Sequence, residues 1–150
     1  MIAYEERPPT VAEFNALRES VGWGAIRPLP AAERAIKHSL YFVKALHAGR
    51  VVGVARIIGD GGNAFYVQDV IVHPEYQHQG IGTALMDRVM AFLQTIESDM
   101  IMVCLMSAKG KEPFYSKYGF IERPNPSFGA GMIRFLQLKR PAHPEHRVTR

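Results

Sequence analysis

Gln77-His78-Gln79-Gly80-Ile81-Gly82-Thr83 joins residue types and spacing suited to holding phosphate. Gly80 and Gly82 have no side chain to cover the backbone, so neighbouring N–H groups stay accessible. The apolar run Val70-Ile71-Val72 leads into this stretch through the turn His73-Pro74-Glu75-Tyr76. An amphipathic run follows, in which Leu85, Met86, Val89, Phe92, Leu93 and Ile96 recur at three and four residues, the spacing of one helix face. The order is therefore strand, turn, glycine-rich segment, helix. A helix's first turn carries donors without intrahelical partners and sits at the positive end of the dipole, which together suit phosphate oxygens.

What the loop lacks narrows the ligand. A dinucleotide fingerprint needs a third small residue where Leu85 stands, and a nucleotide-triphosphate loop needs a lysine that Gly82-Thr83-Ala84 does not supply. Gln-x-x-Gly-x-Gly at a strand-to-helix junction remains. A lone Gly-x-Gly fits equally a helix packed close on a sheet. The whole run from Asp69 to Leu85, with Val-x-Pro-Glu-Tyr-Gln ahead of the glycines, resembles the pyrophosphate loop of the GNAT superfamily, the acetyl-CoA-dependent N-acetyltransferases. Downstream, Phe114-Tyr115-Ser116-Lys117-Tyr118-Gly119-Phe120 has the form Phe-Tyr-x-x-x-Gly-Phe and resembles the C-terminal signature of the same superfamily. The two motifs stand in the family's order, and the architectural resemblance covers residues 40–138.

The resemblance implies an α/β (α+β) fold with a mixed, largely antiparallel sheet and helices on both faces. It implies acetyl-CoA as co-substrate, with pyrophosphate held by residues 77–83 and the pantetheine arm paired along Val70, Ile71 and Val72, where the family's sheet splays open. The arm carries amides, so it adds to exposed backbone like a strand. A strand N–H is then available to stabilise the oxyanion formed when an amine attacks the thioester. Tyr115 is the candidate general acid for the departing thiolate: a phenol is neutral at working pH and donates its proton, and the family places its acid at this tyrosine. Asp69 is the candidate base; a partly desolvated carboxylate there accepts the amine's proton directly or through water. Asp69 as a structural or substrate-binding residue fits the sequence equally. The segment 68–72 resembles the Glu-Asp-apolar stretch of glucosamine-phosphate acetyltransferases, with Gln68 at the glutamate position. Residues 107–109, Ser-Ala-Lys, replace the family's usual asparagine.

The function expected is acetyl transfer from acetyl-CoA to a primary amine, on a small molecule or a peptide, by direct attack. The alternative is a non-catalytic acyl-CoA sensor that keeps the cradle without the chemistry. A covalent acyl-enzyme fits less well, because Cys104 is the only thiol and lies away from the loop. The resemblance is compatible with a homodimer.

A length of 150 residues suits one domain, expected over residues 1–138. Of the net charge of +4, residues 139–150 carry +3, from Lys139, Arg140, Arg147 and Arg150 against Glu145. The body of the chain is thus near neutral, which argues against a nucleic-acid binder with a basic stripe, and the tail is expected to be disordered. No apolar run reaches membrane-span length and the N-terminus has no basic-then-apolar signal. With one cysteine and no such segment, a cytoplasmic home with no membrane partner is the expectation. His143 and His146 flank Pro144-Glu145, a poor frame for a metal, so no metal site is expected.

The positioning elements are expected as follows. A short edge strand at 2–6 precedes a helix opened by the capping box Thr10-Val11-Ala12-Glu13, with Val11, Phe14, Leu17 and Val21 inward. Gly22-Trp23-Gly24 breaks it, and a second short helix covers 31–39. Trp23 reads as a packing anchor or, on its loop between two helices, as part of an acceptor pocket. Strands at 40–46 and 51–58 form a hairpin, and a strand at 64–72 leads to the loop. After the long helix come an apolar strand at 100–106, buried on both faces with Cys104 in the core, a short helix at 112–118 capped by Gly119, and strands at 120–123 and 132–138. Arg56 and Asp60 are expected as a solvated pair near the hairpin turn.

Overall fold

Thr10 closes the start of the first helix on itself. Its hydroxyl accepts from the Glu13 N–H at 3.1 Å, while the Glu13 carboxylate accepts from the Thr10 N–H at 2.8 Å. The predicted capping box is therefore complete, and helix α1 runs over Val11–Ser20. Phe14 and Leu17 point from it into the core, where Phe14 meets Phe42 edge-on with ring centroids 5.7 Å apart. The computed structural model describes residues 1–137, so the basic tail and Leu138 lie outside the described residues. Two compact units form, Met1–Leu105 and a second beginning at Met106.

The first unit holds one sheet of five strands in sequence order: β1 (Ile2–Glu5), β2 (Tyr41–His47), β3 (Arg50–Gly59), β4 (Ala64–Val72) and β5 (Met102–Cys104). The first three pairings are antiparallel and the last, β4 with β5, is parallel. Helix α2 spans Leu29–Lys37 and the long helix α3 spans Ile81–Leu93, ending short of Ile96. Alternate residues of β3 show how both faces are covered. Gly53 faces Ile81 and Leu85 of α3, whereas the next residue, Val54, packs in the cluster of Phe14 and Leu17 from α1. Trp23, between α1 and α2, packs against that same cluster.

Asp60 fixes the β3–β4 turn: its Oδ1 accepts from the N–H groups of Gly62, Asn63 and Ala64 at 2.8, 2.9 and 3.1 Å. These bonds, the one from Asn63 foremost, hold its carboxyl below the ordinary value of 3.8. Asp60 is thus spent on the turn and does not pair with Arg56, contrary to the sequence expectation.

β5 corrects a further expectation. It is three residues long, with Met102 exposed and Val103 and Cys104 half-buried. It is a sheet edge rather than a strand covered on both faces, so Cys104 is not a core residue. In the second unit, α4 covers Glu112–Ser116, and Gly119 at φ +87° ends the turn that follows. No strand forms at 120–123 or at 132–137. Local bonds over 122–129 shape a loop instead of the first of these. Asn125 Oδ1 accepts from Ser127 and Phe128 N–H, Asn125 Nδ2 donates to the Glu122 carbonyl, and Arg123 Nε donates to the Gly129 carbonyl. Side chains here serve backbone groups that a ladder would otherwise pair. Met132, Ile133 and Leu136 remain exposed, so their alternation does not translate into strand burial.

Candidate active site

The site in the first unit starts from a fault in β4. Val54 pairs with Ile71 and Arg56 with Gln68, so Ala55 alone faces both Asp69 and Val70. This is a β-bulge, and Asp69 within it takes left-handed backbone, at φ +56°. Pairing with β5 ends at Tyr66, opposite Cys104. Beyond that point β4 has no partner strand on the β5 side among the described residues. Val70, Ile71 and Val72 therefore lie along an edge with no partner strand, where the Val72 carbonyl accepts from Gln77 Nε2; an edge of this kind suits strand addition by an amide-bearing ligand.

The chain leaves β4 through a 3-10 turn, Pro74–Tyr76, and three contacts tether the loop. His73 Nδ1 accepts from the Glu75 N–H at 3.2 Å, His47 Nδ1 lies 2.9 Å from the Tyr76 hydroxyl, and Gln77 Nε2 donates to the Val72 carbonyl at 3.0 Å. Left-handed backbone at His78 (φ +63°) and Gly80 (φ +82°) then curls the segment into α3. Residues of this kind build the concave amide nests that bind anions. Gly80 is the N-cap residue and no side chain caps the helix. The first intrahelical bond runs from Ala84 N–H to the Gly80 carbonyl at 3.0 Å, so Ile81 and Gly82 N–H groups point out of the helix start. A methyl built on Gly80 meets no atom within 4 Å, and the first turn contains no acidic residue. Open approach, outward donors and the positive dipole end fit a diphosphate.

Gly53 sets the height of this helix start. A methyl there would lie 3.2 Å from the Ile71 carbonyl oxygen and 3.3 Å from side-chain carbons of Ile81 and Leu85. Gly53→Val is expected to lift the first turn of α3 off the sheet, at roughly 1–3 kcal/mol of stability. CoA affinity, measured by calorimetry, should fall several-fold in the same variant.

Asp69 sits on the same strand but turns toward α1. Its side chain is fully buried; Oδ1 accepts from Arg18 Nη1 at 2.7 Å and Oδ2 from Arg56 Nε at 2.8 Å. Arg56 is thus 8% exposed and internal, not half of a solvated pair. Arg18 escaped the sequence reading because an arginine on an amphipathic helix reads as surface; only its place one residue after the inward-facing Leu17 marks it.

Tyr115 belongs to the second unit. Its ring is half-buried, 5.0 Å from Phe114 and 6.3 Å from Phe120 between centroids. Burial pushes the phenol up to about 12. Phe114 also meets Tyr118 at 5.6 Å, a packing contact. The structure thus brings Val70–Val72 and residues 77–83 together in one unit, with Asp69 beside Val70 but its side chain held by Arg18 and Arg56, while Tyr115 stands within its own aromatic group.

Comparison with known proteins bears on these features. A family model described as an acetyltransferase (GNAT) domain matches residues 21–140. The chain is 32% identical over 117 residues to the uncharacterized N-acetyltransferase ycf52 of Porphyra purpurea, covering 75% of this chain and 66% of that protein, just under two thirds of its length. Among solved structures, a GNAT-family acetyltransferase from Streptococcus pneumoniae shows 31% identity and a TM-score of 0.75, over 91% of this chain and 99% of that one. A probable acetyltransferase from meticillin-resistant Staphylococcus aureus shows 29% identity and a TM-score of 0.79, over 90% and 100%.

Proposed function

The chain belongs to the GNAT acetyltransferase family, and on that premise we propose that it moves an acetyl group from acetyl-CoA to a primary amine by direct attack on the thioester. The observation that carries this reading is the start of α3, which no side chain caps, following the edge of β4 that has no partner strand beyond Tyr66 among the described residues. The N–H groups of Gln79 to Thr83 hold the pyrophosphate, with His78 and Gln77 shaping the loop around them. Val70, Ile71 and Val72 align the pantetheine amides, and a backbone N–H of this strand serves the developing oxyanion. Tyr115 supplies the proton to the departing thiolate.

The amine's proton goes to solvent water in this scheme. Both Asp69 oxygens are occupied by guanidinium donors in a buried setting, so the carboxylate has no side turned to an acceptor. The acceptor is a primary amine on a small molecule or peptide. Among the described residues no helix is long and apolar enough to cross a membrane.

Thiol release from acetyl-CoA across a panel of amines, amino sugars, polyamines and peptides tests the proposal. Turnover with at least one acceptor class is the expected result. Tight CoA binding with no turnover on any amine would instead favour an acyl-CoA sensor, and absence of CoA binding would remove both readings.

A further inference from the structure

Arg18, Asp69 and Arg56 come from three different elements, α1, β4 and β3, and meet with each residue less than 10% exposed. Both guanidiniums donate further to oxygens nearby: Arg18 Nε to the Gly24 carbonyl at 3.0 Å, and Arg56 Nη1 to the Ala35 carbonyl and Ser39 Oγ at 3.3 and 3.2 Å. Buried ion groups are poor sources of net stability, because desolvation offsets their attraction. What such a cluster does supply is a single geometry. Here the fixed residue is the one whose backbone is left-handed, at the centre of the bulge. Aspartate tolerates that conformation better than most residues, yet still at a cost, so something must hold it there.

We propose that Arg18 and Arg56 are positioning residues: they clamp the two Asp69 oxygens, fix the β4 bulge, and so keep Val70–Val72 on the course that leaves their outer edge open to the coenzyme. Arg18 bonds the Gly24 carbonyl as well, and ties the α1–α2 connection to this strand through one guanidinium. The inference rests on the reading of that edge given under Proposed function, and assigns Asp69 a role exerted through the backbone rather than through proton transfer.

Arg18→Met tests it. The substitution keeps an unbranched apolar stem and leaves Asp69 paired with Arg56, a balanced pair, so folding is expected to survive; thermal melting checks this. The clamp loses one arm, and the CoA dissociation constant and acetyl-CoA KM should both rise about tenfold, more than kcat falls. Arg18→Lys reaches Asp69 or the Gly24 carbonyl with one ammonium, and should fall between Met and wild type. If Asp69 were the proton acceptor, Arg18→Met would leave its carboxylate in place and change kcat and the acid limb of its pH profile with KM flat. That pattern, or an unchanged CoA dissociation constant in both variants, overturns the proposal. Should Arg18→Met fail to fold, wild-type affinity in Arg18→Lys overturns it equally. Failure of the wild-type chain to bind CoA is a separate outcome that removes the coenzyme reading and this inference with it.

Discussion

Tyr115→Phe is expected to lower kcat by roughly 10²-fold, the low end of what general acids contribute, with CoA affinity within about twofold of wild type. The low end follows from the acidity. Burial raises the phenol to about 12, whereas a free thiol lies near 8.5. Full proton transfer to a free thiolate is therefore uphill, and the phenol helps while the C–S bond is still breaking. The same shift has a sign in pH. A raised value keeps the acid in its protonated form, so activity should not fall on a tyrosine limb near 10, the ordinary value, but only toward 12. Stability follows the same direction: between 10 and 12 the unfolded chain releases a proton that the folded chain keeps, so this contribution is present below 10 and is lost as pH rises through that window. A Phe variant with undiminished kcat would assign the leaving proton to water or to another group.

The parts of the fold legible in the sequence are those fixed by local chemistry. Thr10 and Glu13 cap a helix whatever lies elsewhere. Gly80 marks a backbone reversal that other residues seldom adopt, and the alternation of β4 survives in its burial even across the bulge. The parts that were not legible depend on partners far away in the chain. Nothing near Arg18 says that a carboxylate 51 residues on will face it. Asp69 reads as a candidate base because it stands just before the coenzyme-binding stretch; its two guanidinium partners arrive only with tertiary structure. The stretch 132–137 alternates as a strand should, but alternation states a preference for one-sided burial, and no ladder among the described residues supplies it. Likewise β5 reads as a buried strand from composition, but its place at the sheet edge limits it to three paired residues.

Thr83→Glu is expected to separate coenzyme binding from folding. Thr83 is the exposed third residue of α3. A carboxylate there lies at the positive end of the helix dipole, so the melting temperature should hold or rise slightly. The same carboxylate opposes a diphosphate held on that turn. At roughly 5–6 Å and an effective dielectric near 20, each pair of unit charges repels by about 3 kcal/mol before salt screening. With screening, the loss of CoA affinity should be on the order of 30- to 100-fold. Thr83→Gln has similar size and no charge, and should bind CoA within a few-fold of wild type. The gap between the two variants should also narrow as salt rises from about 0.1 to 1 M, since the screening length drops from about 10 to 3 Å. Stability and binding move in opposite directions here only if the ligand's charge sits on the backbone donors of that turn. Equal CoA affinity in the Glu and Gln variants, by calorimetry at low salt, would place the diphosphate elsewhere.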